Sequence, residues 1–71
     1  MSQAELVEPV ADVITESEND AQVHEIHYSD GSRTYEVYLI DRTGKWRVFE
    51  CSTHTRALAL LSGYQMGRLP A

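Results

Sequence analysis

"TYEVYLIDRTGKWRVFE", residues 34–50, decides the fold of this chain. Two runs rich in β-branched and aromatic residues flank Asp41-Arg42-Thr43-Gly44. Such runs favour strands, and a type I turn with glycine in the left-handed position joins strands into a hairpin. That turn sets Asp41 opposite Lys45. Counting back pairs Ile40–Trp46, Leu39–Arg47, Tyr38–Val48, Val37–Phe49, Glu36–Glu50 and Tyr35–Cys51. Side chains alternate along a strand, and here both resulting faces carry apolar residues. A sheet this small needs to bury only one of them.

Upstream, "VHEIHYS" (residues 23–29) precedes Asp30-Gly31, the signature of a two-residue hairpin turn. That turn predicts the pairs Tyr28–Arg33, His27–Thr34, Ile26–Tyr35, Glu25–Glu36 and Val23–Tyr38. Ile26, Tyr28, Tyr35, Val37, Leu39, Phe49 and Cys51 then form the expected core face. Val23, Tyr38, Ile40, Trp46 and Val48 share the second face with Glu25, Glu36 and Glu50, which form a row across the strands. Like charges directly opposite one another destabilise a sheet, and solvent, raised pKa values or a cationic partner would relieve them. A one-residue slip at Asp30-Gly31 would break the row by moving Glu25 to the core side, but it would set Ile26 opposite Thr34, which is worse for the core, so the unshifted register is expected.

Downstream, Ser52 or Thr53 can cap a helix through "TRALALLSGYQM". Ala57, Leu58, Leu61 and Tyr64 mark its buried stripe, Leu60 lies at the margin, and Gly67 ends it. At the other end, residues 2–17 predict a helix. Leu6, Val10, Val13 and Ile14 fall near one stripe, and Glu5, Glu8, Asp12 and Glu16 form an acidic helix face. Ser2-Gln3-Ala4-Glu5 has the form of a capping box. Pro9 either kinks this helix or starts a shorter one; the shorter helix is preferred. The expected architecture is α+β: a three-stranded antiparallel meander packed on a C-terminal helix and preceded by an acidic N-terminal helix. One domain spans residues 1–71, as an acidic helical segment (1–20), meander (21–52), helix (53–67) and tail (68–71). The first helix either crosses the second sheet face or leaves it free.

This order of elements resembles the double-stranded RNA-binding domain. The likeness is concentrated in "GKWRVFECSTHTRALALL", residues 44–61. The resemblance implies helix, three antiparallel strands and helix. That family grips phosphates with lysines at the start of its last helix. The matching stretch here, Thr53-His54-Thr55-Arg56, has none, and the first segment is acidic. The likeness therefore extends to the fold and carries no RNA-binding residues across.

Charge points the same way. The 71 residues carry a formal net charge of −5. Residues 1–20 hold six acids and no base, and residues 21–71 hold five acids against six bases. Acidic chains repel nucleic acid and attract basic surfaces. The lone Cys51 excludes an internal disulfide and fits a reducing cytosol. No signal segment opens the chain and no apolar run reaches the roughly 20 residues of a membrane span, so a cytoplasmic location is expected.

Catalytic and metal signatures are missing. His24 and His27 are three apart on a strand and point to opposite faces. Cysteine pairs and His-x3-His spacing are absent, so neither a metal nor a cofactor is expected. Cys51 falls on the core face, where a small buried hydrophobe outweighs a nucleophile. Glu36–Glu50 could act as a carboxylate pair, but a flat sheet offers no pocket, so no enzyme is expected. The expected function is a small acidic protein-binding module, regulatory or inhibitory, engaging a basic partner that could itself bind nucleic acid. In size and charge it resembles phage-encoded inhibitors of host polymerases or defence nucleases, which is analogy alone. Trp46 and Tyr38 would anchor the partner with Ile40 and Val48, and Glu25, Glu36 and Glu50 would supply charge. Nucleic-acid binding by stacking on Trp46 and Tyr38, or a homodimer through the sheet, are the alternatives.

Overall fold

The computed structural model describes residues 6–67. Four strands, β1 (Pro9–Glu18), β2 (Ala21–Tyr28), β3 (Arg33–Ile40) and β4 (Trp46–Cys51), precede one helix, α1 (His54–Gln65). The strands form an antiparallel meander in the order β1-β2-β3-β4.

The β3–β4 ladder has the six pairs that its turn dictates, from Ile40–Trp46 to Tyr35–Cys51. The Asp41 N–H donates to the Lys45 carbonyl at 2.8 Å, and Gly44 takes φ +84°. The Asp41 carboxylate accepts the Thr43 hydroxyl at 2.5 Å and the Thr43 and Lys45 N–H groups at 2.8 and 3.1 Å. Those bonds, the Thr43 hydroxyl first, hold its pKa below the usual aspartate value.

The β2–β3 ladder corrects the expected register by one residue. Ile26 lies opposite Thr34, Glu25 opposite Tyr35, His24 opposite Glu36 and Val23 opposite Val37. The cause is the turn. A two-residue type I′ turn needs positive φ at both Asp30 and Gly31. Only Gly31 has it, at +87°. The Tyr28 N–H bonds Ser32 O and the Gly31 N–H bonds Tyr28 O, both at 2.9 Å, so this turn repeats the three-residue geometry of the other. The Asp30 carboxylate is used locally, accepting the Ser32 N–H at 2.9 Å and its hydroxyl at 2.6 Å. Val23 and Glu25 therefore join the helix side, and Ile26 and Tyr28 leave it.

The expected N-terminal helix is replaced by β1, which pairs with β2 from Pro9–Tyr28 to Glu18–Ala21. Val10, Val13, Ile14 and Thr15 are β-branched and suit a strand. Pro9 stands at the strand's first position, where a missing N–H is tolerated. Register shifts at Val10 and Thr15 interrupt the period of two, and the interrupted pattern imitates helical spacing. The acids no longer share a face: Asp12 pairs with Ile26, and Glu16 with Val23 on the other side. Glu8 precedes β1 and exchanges bonds with Ser29. Glu5 and the rest of residues 1–5 lie outside the described residues, as does the expected tail, 68–71. Strand, strand, strand, strand, helix is also not the order that the RNA-binding resemblance implies.

Ala21, Val23, Tyr35, Val37 and Leu39 form the core with Ala57 and Leu61 of α1, flanked by Phe49, Cys51, Leu60 and Tyr64. Leu58, expected in the buried stripe, is exposed. Thr53 caps α1 by accepting the Arg56 N–H at 3.2 Å. The helix packs across β2, β3 and β4. Its last turn is tied back by the Tyr64 hydroxyl, 3.0 Å from Asp20 Oδ2 and 3.1 Å from Ile40 O, and by a Gln65–Glu18 bond. Among the described residues no helix is long and apolar enough to cross a membrane.

Candidate functional site

Register and pleat together decide what lies on the face opposite α1. Rows of four run across the sheet. Ile14, His24, Glu36 and Glu50 form one, and Ser17, Gln22, Tyr38 and Val48 the next. Ile40–Trp46 closes one end of the face, and Asp12–Ile26–Thr34 continues the other. No element of the described residues packs over this face. Ile14, Trp46 and Val48 each leave about half their surface exposed, at 52%, 50% and 50%.

Six of the seven expected partner-binding residues meet on this face: Trp46, Tyr38, Ile40, Val48, Glu36 and Glu50. Glu25 does not. It lies on the helix side, accepting from the Tyr35 hydroxyl at 3.0 Å, with His27 Nε2 at 2.7 Å and Arg33 Nη1 at 3.8 Å. Contacts with His27 first, then Tyr35, lower its pKa. The three-carboxylate row is thus reduced to the Glu36–Glu50 pair. Of the four acids expected on a helix, only Asp12 is shown on the open face.

His24 holds the middle of the face, a position sequence reasoning missed. Its Nδ1 lies 2.8 Å from Asp12 Oδ1 and its Nε2 lies 3.0 Å from Gln22 Oε1. Its ring leans on Tyr38 at 4.5 Å between centroids. The Tyr38 hydroxyl donates to Glu36 Oε1 at 2.8 Å, and this bond, then burial, raises the phenol's pKa. Beside it a shallow cavity of about 460 Å³ is lined by Pro9, Val10, Asp12, Ile26, Tyr28 and Glu36. The expected like-charge row was itself the available signal against the two-residue turn. Moving β2 by one residue places an imidazole, not a third carboxylate, opposite Glu36.

The sheet separates its charges. Asp12, Glu36 and Glu50 occupy the open face, and among the described residues that face holds no Lys or Arg. Arg33, Lys45 and Arg47 alternate onto the helix side, where Arg33 pairs loosely with Glu25 and Arg47 with Asp41 at 3.8 and 3.6 Å. Exposed pairs of this kind contribute little to stability.

Among the described residues no cluster of three or more His, Cys, Asp or Glu side chains could hold a metal ion. His24 and His27 lie on opposite faces. His54 opens α1, its ring 5.3 Å from that of Tyr35. Cys51 is partly buried against the core. No family model, curated protein or solved structure matches this chain.

Proposed function

We propose that this chain is a small acidic, non-enzymatic binding module that regulates or inhibits a partner protein by engaging its basic surface. The observation that carries this reading is the open face. Asp12, Glu36 and Glu50 stand there without a Lys or Arg among the described residues, beside half-exposed Trp46, Val48 and Ile14. Exposed apolar patches next to charge of one sign are characteristic of binding surfaces. Trp46 and Tyr38 supply aromatic anchors, and the carboxylates supply charge complementarity.

The same charges weigh against the alternatives. Phosphate backbones are repelled by the carboxylates that share this face with the aromatic residues. Two copies meeting face to face would oppose acid to acid.

Immobilised chain and its Trp46→Ala variant test this reading by capture from a lysate of the native host, with salt elution and mass spectrometry. Basic proteins retained by the parent and lost by the variant, with an unchanged circular dichroism spectrum, support it. Equal retention by both removes Trp46 and the open face from the function.

A further inference from the structure

The two edges of the sheet are built differently. β1 starts at Pro9, is bulged at Val10 and Thr15, and carries Asp12, Glu16 and Glu18. Such features blunt an edge against further pairing. β4 lacks the proline and the bulges. Trp46–Cys51 contains no Pro, Gly or bulge and pairs with β3 residue for residue. Among the described residues no strand lies on its far side.

Ladder geometry then identifies the backbone groups left without a strand partner among the described residues. The Asp41 N–H bonds Lys45 O at 2.8 Å, so the pairs that exchange bonds onward are Leu39–Arg47, Val37–Phe49 and Tyr35–Cys51. The Ile40 N–H follows the same alternation by turning the other way, to Asp20 O at 3.1 Å. The N–H and C=O groups of Trp46, Val48 and Glu50 consequently point out from the edge. These residues also present their side chains on the open face. A segment lying beside β4 meets both sets of groups at once.

We infer that β4 takes up an extended strand of the partner, with a lysine or arginine opposite Glu50 and an apolar residue opposite Val48. This rests on the open face being the binding surface, and it specifies the form of what binds. Charge selects the occupant. Glu50 stands opposite Glu36, and a cation on the added strand completes the row with the opposite sign. A second copy of the chain cannot supply it. In a two-fold pairing of β4 with itself, residues that meet share a face. Glu50 would meet Trp46, Val48 or Glu50 of the copy, while Lys45 and Arg47 stay on the other side. Main-chain bonds in such strand addition give affinity, and alternate side chains give selectivity.

The test uses the full chain and a panel of synthetic seven-residue peptides. Each alternates valine with threonine and carries one lysine or arginine, scanned through the positions of one face. A matched set is N-methylated at the residues that would bond β4. Trp46 fluorescence reports binding, and amide hydrogen exchange reports the backbone. Binding of an unmethylated peptide with protection of the Trp46, Val48 and Glu50 amides is expected. N-methylation removes two or three hydrogen bonds and should weaken binding by roughly tenfold or more. Glu50→Lys should transfer preference to peptides carrying glutamate.

Equal binding by methylated and unmethylated peptides overturns strand addition and leaves face docking intact. Absence of amide protection with every peptide also overturns it. Protection of the same amides without peptide, with a doubled mass in sedimentation, makes the occupant a second copy and overturns it too. Trp46-dependent capture of basic proteins is independent of these outcomes, so the two readings fail separately.

Discussion

Val23 lies directly opposite Val37 at the centre of the sheet, and neither exposes any surface, both at 0%. Their contact depends on the three-residue turn at Gly31; a two-residue turn would put Val23 on the open face. Val23→Ala removes two buried methyl groups and leaves a cavity, at a cost of about 2 kcal/mol. A chain of this size has only roughly 4–10 kcal/mol in total. Val48→Ala, on the open face, should stay within about 0.5 kcal/mol. Urea melts of both variants measure the difference. Equal effects would mean that the β2–β3 register is wrong.

The two turns were unequally legible for a definable reason. Asp41-Arg42-Thr43-Gly44 contains its left-handed glycine at one unambiguous position. Asp30-Gly31 suits two turn types, and they differ in register by one residue. Charge was the tie-breaker, since His24 opposite Glu36 is better than Glu25 opposite Glu36. β1 was hidden differently. Bulges at Val10 and Thr15 shift the alternation, so Val10, Val13 and Ile14 acquire helix-like spacing within a strand. The β-branched content and Pro9 were the signals for a strand. On the site, the Glu36–Glu50, Tyr38–Val48 and Ile40–Trp46 pairs came from the Asp41–Gly44 turn, while His24 and Ile14 needed the β1 and β2 ladders.

Gly31 provides a chirality test of that turn. Its φ of +87° disfavours L-residues, and an added Cβ would meet nothing within 4 Å. Replacement by L-alanine should therefore cost about 1–2 kcal/mol through backbone conformation alone. D-alanine, installed by chemical synthesis, adopts positive φ readily and should match or exceed glycine. Thermal melts of the three chains decide. A D-alanine chain as unstable as the L-alanine chain would exclude the left-handed turn.

Acid sensitivity should trace in part to Asp41. Its folded pKa lies below the ordinary value, first because of the Thr43 hydroxyl and then the Lys45 N–H. The fold therefore favours the ionised form. That contribution is complete above the unfolded aspartate value of about 4 and is lost as pH falls through the lower folded value. Glu25, held down by His27 and Tyr35, acts in the same direction. Asp41→Asn should be less stable than the parent at neutral pH, and the gap should close on acidification to about pH 2. Melting temperatures across that range test it; a gap independent of pH would show that ionisation of Asp41 is not involved.

Glu36 and Glu50 oppose each other on the open face, at a cost to the isolated chain. Glu50→Lys turns the repulsion into an attraction and should stabilise by roughly 0.5 kcal/mol, or about 2–4 °C in a domain this small. The same change removes the charge that the proposed partner strand would meet, so retention of basic proteins should fall sharply. Opposite signs in the two measurements would identify Glu50 as a residue that serves recognition at the expense of stability. A lower melting temperature would mean that solvent or Tyr38 already relieves the pair. Unchanged capture would place the partner elsewhere on the molecule.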